Sequence, residues 1–144
     1  MKAMTRTTIL VLLCVLVFGA AYAQFAKPEE AIQYRKAVML LIAQHFKPMG
    51  AVVQGRAAYD KDAFSANAEG GEVLATLAWE AFMVAGTDKG DTTMNSAVFD
   101  KSAQFKKAAE SFETETAALS KMAKASELDA IKAQFGKVAK SCSA

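Results

Sequence analysis

Apolar residues recur every three or four positions along most of this 144-residue chain, the spacing of one face of an α-helix. No stretch alternates apolar and polar residues as a half-buried strand does. The pattern therefore predicts amphipathic helices that bury their apolar faces against one another. The repeat is carried by Met39, Ile42, Phe46, Met49 and Val53, then by Phe105, Ala108, Phe112, Thr116, Leu119 and Met122, and last by Leu128, Ile131, Phe135, Val138 and Cys142.

Helix start and stop residues divide this pattern into four helices. Pro28 suits the first position of a helix, Gly55 suits a position just after a helix end, and Ser126-Glu127 with Asp129 gives the last helix an acidic start. The short connections make neighbouring helices antiparallel. The predicted fold is all-α, an up-down-up-down antiparallel four-helix bundle. Its predicted helices span 28–54, 61–82, 96–124 and 127–144.

Two features fit these helices less well. Pro48 lies inside the first one, where it is expected to cause a kink, and Gly70-Gly71 is expected to weaken the second. Each is also compatible with a bend or with close packing between helices. The clearest loop cluster is the run 86–93, which is rich in Gly, Thr and Asp.

The N-terminus has the three parts of a secretory signal peptide. Lys2 and Arg6 supply a positive region, an apolar run follows, and Ala21-Tyr22-Ala23 forms a small-x-small cleavage site. The apolar run is shorter than the roughly 20 residues of a spanning helix, which disfavours an uncleaved membrane anchor. We therefore expect residues 1–23 to be removed on export, and residues 24–144 to form one bundle domain that is not held in the membrane.

Export changes the charge and the cysteine content. The chain has 17 basic and 15 acidic side chains, and the signal peptide contains two of the basic ones and no acidic one, so the formal net charge falls from +2 to 0. No basic patch remains, which argues against nucleic acid or an anionic membrane as a partner. Cys14 leaves with the signal peptide. Cys142 is then a free thiol, half of an intermolecular disulfide or the anchor of a covalent group.

An enzyme activity has little support in the sequence. His45 is the only histidine, and no nucleophile stands at a recognisable motif spacing from it. Neither a phosphate-cradling glycine loop nor the Glu-x-x-His pair of di-iron bundles is present. The carboxylates Glu110, Glu113 and Glu115 share the third helix with lysines and are most simply a solvated face. We expect a protein that is not an enzyme, with His45 exposed or at an interface.

Five segments of the chain carry a family resemblance: 24–39, 45–46, 79–82, 86–88 and 135–142. They resemble cytochrome c′, the periplasmic four-helix haem proteins of bacteria. The resemblance extends over the whole of 24–144 and is most specific in the N-terminal helix. It implies a haem c cofactor, a periplasmic location, binding of small gases such as nitric oxide, and single-electron transfer with a redox partner protein.

The resemblance gives Cys142 a role. In the family, two cysteines three residues apart on the last helix bond the vinyl groups of haem, and the histidine that follows ligates the iron. These positions share one helical face. Cys142 matches the first cysteine, and the second cysteine and the proximal histidine are expected beyond Ala144. We therefore expect a haem thioether at Cys142, a sequence that stops within its Cys-x-x-Cys-His motif, and no certain metal ligand before that point.

Five further residues match family positions around the haem. Met39 matches the distal position over the iron, where the thioether either ligates the metal or lines the pocket, and we favour the lining role. Arg35 and Lys36 match positions near the propionates, where a guanidinium suits a carboxylate. Asp91 matches a loop position at the haem edge, and Phe82 matches an aromatic residue packed near the porphyrin.

The family resemblance also bears on the oligomeric state. Family members commonly dimerise through the first two helices, which implies a homodimer, with leftover apolar residues such as Leu40, Leu41 and Val52 available for the contact. The alternative is a haem-free secreted helical-bundle protein whose Cys142 is free or forms an intermolecular disulfide. The two hypotheses differ in whether haem becomes attached.

Overall fold

The computed structural model describes residues 24–143, which form six α-helices and no strand. The signal peptide predicted for 1–23 lies outside the described residues, as does Ala144. Within the described range no helix is both long enough and apolar enough to cross a membrane. The helices are α1 Pro28–Val53, α2 Lys61–Ala75, α3 Trp79–Phe82, α4 Ala97–Asp100, α5 Ser102–Ala125 and α6 Leu128–Cys142.

The four long helices α1, α2, α5 and α6 form the bundle. The Ser65 hydroxyl near the start of α2 donates to the Ala123 carbonyl near the end of α5, at 3.1 Å, so these two helices are antiparallel. Short connections reverse the chain between α1 and α2 and between α5 and α6. Gln134 Nε2 of α6 donates to the Glu115 carbonyl of α5 at 3.0 Å, which joins these two helices. The all-α, up-down-up-down bundle predicted from the periodicity is confirmed.

Two of the predicted helices are interrupted, so the continuous spans 61–82 and 96–124 are wrong. The first ends at Ala75 and resumes as the single turn α3, and the second is divided at Lys101 (φ −117°, ψ 39°) into α4 and α5. At the first break the Thr76 hydroxyl donates to the Val73 carbonyl at 3.0 Å. Such local side-chain bonds compete with the helical ladder, which accounts for a stop that apolar periodicity does not reveal.

The ends of α1 and α2 follow the sequence. α1 begins at Pro28 and continues through Pro48 without interruption. Gly55 comes two residues after α1 and has φ +71°, a conformation that glycine adopts without steric cost, so its role as a stop is confirmed. Asp60 begins α2, because its Oδ1 accepts the Ala63 backbone N–H at 2.9 Å.

The core lies between the long helices, and the partly buried Phe46 packs against it. The Phe46 ring packs against Phe112 and Phe135, with both centroid distances 6.0 Å. A Cβ built at Gly71 would come within 2.7 Å of the Phe46 ring, so this glycine lets α1 and α2 approach closely and leaves α2 intact. The buried members of the core include Val38, Ile42, Met49, Phe64, Ala68, Phe112, Leu119, Ala123, Ile131 and Val138.

Candidate functional site

A cavity of about 520 Å³ lies between the N-terminal half of α1 and the connection from α3 to α4. Three separate parts of the chain converge on it, and five of the six residues predicted for the site are in its lining. The sixth, Cys142, is not among the lining residues. The lining consists of Arg35, Lys36, Met39, Phe82, Gly90, Asp91, Thr92, Thr93 and Met94.

Arg35 forms the buried side of this cavity and is only 3% exposed. Its Nη2 donates to the Thr87 carbonyl at 2.6 Å and to the Thr92 hydroxyl. The guanidinium carbon lies 5.1 Å from the centroid of the Phe82 ring, a cation–π contact. Arg35 therefore ties α1 to the connection that covers it.

The charge of Arg35 is not neutralised by any described carboxylate. None of the ion pairs within 24–143 includes it, and its Nη1 is buried without a hydrogen-bond partner there. Burial lowers the pKa of the Arg35 guanidinium below its usual value, because desolvation disfavours the charged form. Arginine still remains protonated at neutral pH. Buried charges are normally paired, so this side of the cavity suits a ligand that brings an anionic oxygen.

Lys36 and Asp91 face each other at the mouth of the cavity. Lys36 Nζ lies 2.7 Å from Asp91 Oδ2 and 3.4 Å from the Asp91 carbonyl oxygen. The two side chains are 47% and 82% exposed. An ion pair with this exposure contributes only about 0–1 kcal/mol. The pair therefore closes the mouth weakly, in contrast to the buried bonds of Arg35.

Two thioether side chains also line the cavity, one from each side. Met39 of α1 is 37% exposed, whereas Met49 of the same helix is 1% exposed. Met39 is therefore a cavity wall and not an ordinary core residue. Met94 lines the cavity from the connection. Sequence reasoning missed Met94, although it is the one long apolar side chain in the otherwise polar run 86–96.

Phe82 belongs to an aromatic cluster at the same end of the bundle. Its ring centroid lies 6.1 Å from that of Trp79 and 5.3 Å from that of Phe105. Trp79 in turn meets Phe105 and Phe112 edge to face, at 6.0 and 5.8 Å. The Trp79 indole N–H is buried without a partner among the described residues. The cluster supports Phe82, the only one of these rings that lines the cavity and the one that the sequence indicated for the site.

Cys142 is the last residue of α6, and it is exposed, although the periodicity placed it on the apolar stripe. Its position along the bundle follows from the contact between Phe135 and Phe46. α1 and α6 run antiparallel. Cys142 comes about two turns after Phe135 on α6, and Met39 comes about two turns before Phe46 on α1, so Cys142 and Met39 lie at the same level of the bundle. Cys142 thus lies at the end of the bundle that contains the cavity.

The remaining candidates lie apart from the cavity. His45 Nδ1 lies 3.3 Å from Asn67 Oδ1, in the contact between α1 and α2. Glu110 pairs with Lys106 at 3.9 Å on the surface of α5. In the part of the chain that the structure describes, no group of three or more His, Cys, Asp or Glu side chains could hold a metal ion.

Known proteins resemble the chain over most of its length. The family model described as Cytochrome C' matches residues 30–144. Cytochrome c' from Alcaligenes xylosoxydans xylosoxydans is 40% identical over 121 residues, which cover 84% of this chain and 93% of that protein. Cytochrome c' from Rubrivivax gelatinosus is 37% identical over 120 residues, which cover 83% and 92%.

Solved structures show the same similarity in three dimensions. Cytochrome c prime from Shewanella frigidimarina has a TM-score of 0.80 at 37% identity, covering 83% of this chain and 92% of that chain. A nitric oxide complex of a mutant of cytochrome c prime from Alcaligenes xylosoxidans has a TM-score of 0.74 at 39% identity, covering 83% and 91%.

Proposed function

Because the chain belongs to the cytochrome c′ family, we propose that it is a c-type haem protein that binds small gases such as nitric oxide and carries single electrons. The observation that carries this proposal is the buried guanidinium of Arg35, which lines a cavity and lacks an anionic partner among the described residues. A relative that forms a nitric oxide complex supports the choice of gas.

The residues around the cavity fit a haem. Arg35 would bind a propionate through Nη1, the guanidinium nitrogen left without a partner in 24–143. Lys36 lies beside it at the mouth, where it would keep its contact with Asp91 and add a positive charge near the propionate. Phe82 would pack against the apolar ring. Asp91 would then lie at the haem edge.

Met39 would form the wall on the side where a gas ligand binds. When bound, the haem iron supplies the centre that holds a diatomic gas or accepts an electron. The Met39 side chain is unbranched, flexible and 37% exposed, so it is not held rigidly by its surroundings. We therefore assign it a pocket-lining role, in which it excludes water yet moves aside for a small gas.

Cys142 would attach the haem covalently. It is an exposed free thiol at the cavity end of α6. The second cysteine and the proximal histidine of the family motif would follow Ala144, three and four residues after Cys142. Residues at these spacings lie on one face of a helix, so one helix can bind both the porphyrin edge and the iron.

We further propose a homodimer that forms through α1 and α2. Leu40 and Leu41 of α1 are 58% and 48% exposed, Val73 of α2 is 64% exposed, and Leu77 just after α2 is 38% exposed. An apolar patch on two adjacent helices is a surface that a second copy would cover. Val52, expected at this contact, instead packs partly buried against the core.

Location and reaction class follow from the same proposal. The signal peptide predicted for 1–23 would deliver the domain 24–144 to the periplasm, where it would need neither a membrane nor a nucleic acid as partner. We assign no catalytic residue. The haem would serve gas binding and electron transfer without turnover of a substrate.

Covalent haem attachment tests this proposal. The chain is expressed with Cys-His appended after Ala144, together with cytochrome c maturation proteins, and haem is detected by its stain on a denaturing gel and by intact mass. We expect one covalent haem per chain, and much less attachment in the Cys142→Ala variant. A folded helical product that takes up no haem would overturn the proposal, and would favour the haem-free protein with Cys142 in an intermolecular disulfide.

A further inference from the structure

Residues 90–94, here called the gate segment, form one side of the cavity mouth. All five belong to the cavity lining. The segment starts at Gly90, which has φ +86°, and Gly86 before it has φ +81°. Glycine populates this left-handed region at no steric cost, so the backbone can change direction at both positions.

Two parts of the connection between α3 and α4 are fastened very differently. Thr87 is fully buried and its carbonyl accepts from the buried Arg35 at 2.6 Å. The gate segment is held on its outer side by Lys36 and Asp91, whose ion pair is largely in water. On the inner side Thr92 accepts from Arg35. A firmly fixed base with a weakly held outer edge is the arrangement of a segment that opens locally.

Opening of this segment would separate the two thioether side chains. Met39 lies on α1, while Met94 lies at the end of the gate segment, where its N–H donates to the Thr92 hydroxyl at 3.1 Å. Methionine side chains are flexible and polarisable, so they close an apolar passage without blocking it rigidly. Both side chains line the same cavity, one from α1 and one from the gate segment.

We propose that the gate segment controls the entry of neutral diatomic gases into the cavity, with Met39 and Met94 as the walls of the passage and the Lys36–Asp91 ion pair holding it closed. This inference rests on the proposed haem function. It adds Met94 as a residue that sets the rate of ligand entry, and it gives Asp91 a role in the free protein as well as at the haem edge.

The ion pair gives the gate a distinctive dependence on salt. Carbon monoxide is neutral, so its diffusion to the protein is not steered by charge. The Debye length falls from about 30 Å at 0.01 M to about 3 Å at 1 M ionic strength, which weakens an exposed ion pair. A gas association rate that rises with salt therefore reports the opening of the gate segment.

Carbon monoxide association with the haem-loaded protein measures this effect. Between 0.01 and 1 M salt we expect the rate constant to rise about two- to fivefold, the range that an exposed ion pair can supply. Asp91→Asn should bind at the high-salt rate in all buffers. Met94→Ala should bind faster and Met94→Phe slower than the unaltered protein, and both should keep the salt dependence.

A matched control and a second readout accompany this measurement. Lys124→Gln breaks an ion pair of 2.5 Å with Glu69 at a site outside the cavity lining, and it should leave the rate and its salt dependence unchanged. Hydrogen exchange reports the gate segment itself, since the Thr92 N–H donates to the Gly90 carbonyl at 2.9 Å. Exchange across 90–94 should accelerate in Asp91→Asn but not in Lys124→Gln.

The outcomes separate this inference from the proposed function. A protein that binds carbon monoxide at the same rate with and without Asp91→Asn contradicts the gate alone, even if hydrogen exchange changes. Unchanged exchange at 90–94 contradicts the assignment of the ion pair as the closing contact. Failure of the matured protein to take up haem or to bind the gas would remove the proposed function, and the gate with it.

Discussion

The imidazole of His45 on α1 lies directly against Gly70 on α2. A Cβ built at Gly70 would come within 2.8 Å of His45 Nδ1 and 2.9 Å of Nε2, closer than real Cβ contacts allow. Together with the neighbouring contact between Phe46 and Gly71, this fixes how closely α1 and α2 approach. The same two helices carry the exposed apolar patch and one wall of the cavity, so their spacing affects both.

Gly70→Ala should therefore destabilise the protein by about 1–3 kcal/mol, as overpacking does in other close contacts. Without a clash, replacing a helical glycine by alanine stabilises by about 0.5–1 kcal/mol. Gly136→Ala is the matched control, because a Cβ built there meets nothing within 4 Å. Urea unfolding should give a lower free energy of unfolding for Gly70→Ala and a higher one for Gly136→Ala than for the unaltered protein. Adding His45→Ala should relieve most of the loss in Gly70→Ala, and purely additive effects would show that the contact does not limit the packing.

Arg35→Met should affect the haem-free and the haem-loaded protein differently. In the haem-free chain, the variant loses the bonds to Thr87 and Thr92, but it also removes a buried cation that has no anionic partner among the described residues. These effects oppose each other, so we expect the free energy of unfolding to change by no more than about 1 kcal/mol. With haem bound, the variant also loses a charged hydrogen bond, which contributes about 1.5–3 kcal/mol. Chemical unfolding of both forms measures the difference. An equal decrease in the free energy of unfolding in both forms would mean that Arg35 stabilises the fold but does not bind the haem.

Leu40→Glu and Val73→Glu should each weaken the dimer at least tenfold, because they place charge within the apolar patch on α1 and α2. Ala133→Glu, at an exposed position on α6, is the control and should leave association unchanged. Sedimentation equilibrium of the haem-loaded proteins gives the dissociation constants. A patch variant that associates as tightly as the unaltered protein would place the contact elsewhere.

The bundle could be predicted from the sequence because a single period, three to four residues, runs through each long helix. This period did not reveal the helix breaks after Ala75 and at Lys101. Apolar periodicity and helix propensity both continue through Leu77 and Ala78. At this break the Thr76 hydroxyl bonds locally to the Val73 carbonyl, and Ala78 is completely buried, which happens only when the helices pack.

The site could be predicted only in part, because its members are far apart in sequence. Lys36 and Asp91 are 55 residues apart and meet only through the return of the chain over α1. Composition and spacing contain no trace of such a contact, and it was the family resemblance that named both residues. Met94 was not singled out from the sequence, and only the structure brought it to the cavity. The unpaired state of Arg35 likewise depends on burial that no local pattern specifies.

Titration of the matured protein with nitric oxide, followed by its absorption spectrum, shows whether this chain is a gas-binding haem protein. The protein is produced with Cys-His appended after Ala144, and Met39→Ala is titrated in parallel. We predict a shift of the haem absorption band on addition of nitric oxide, with faster binding in Met39→Ala because the wall of the cavity is removed. A covalent haem whose spectrum does not respond to nitric oxide, in either protein, would show that this haem site does not bind the gas.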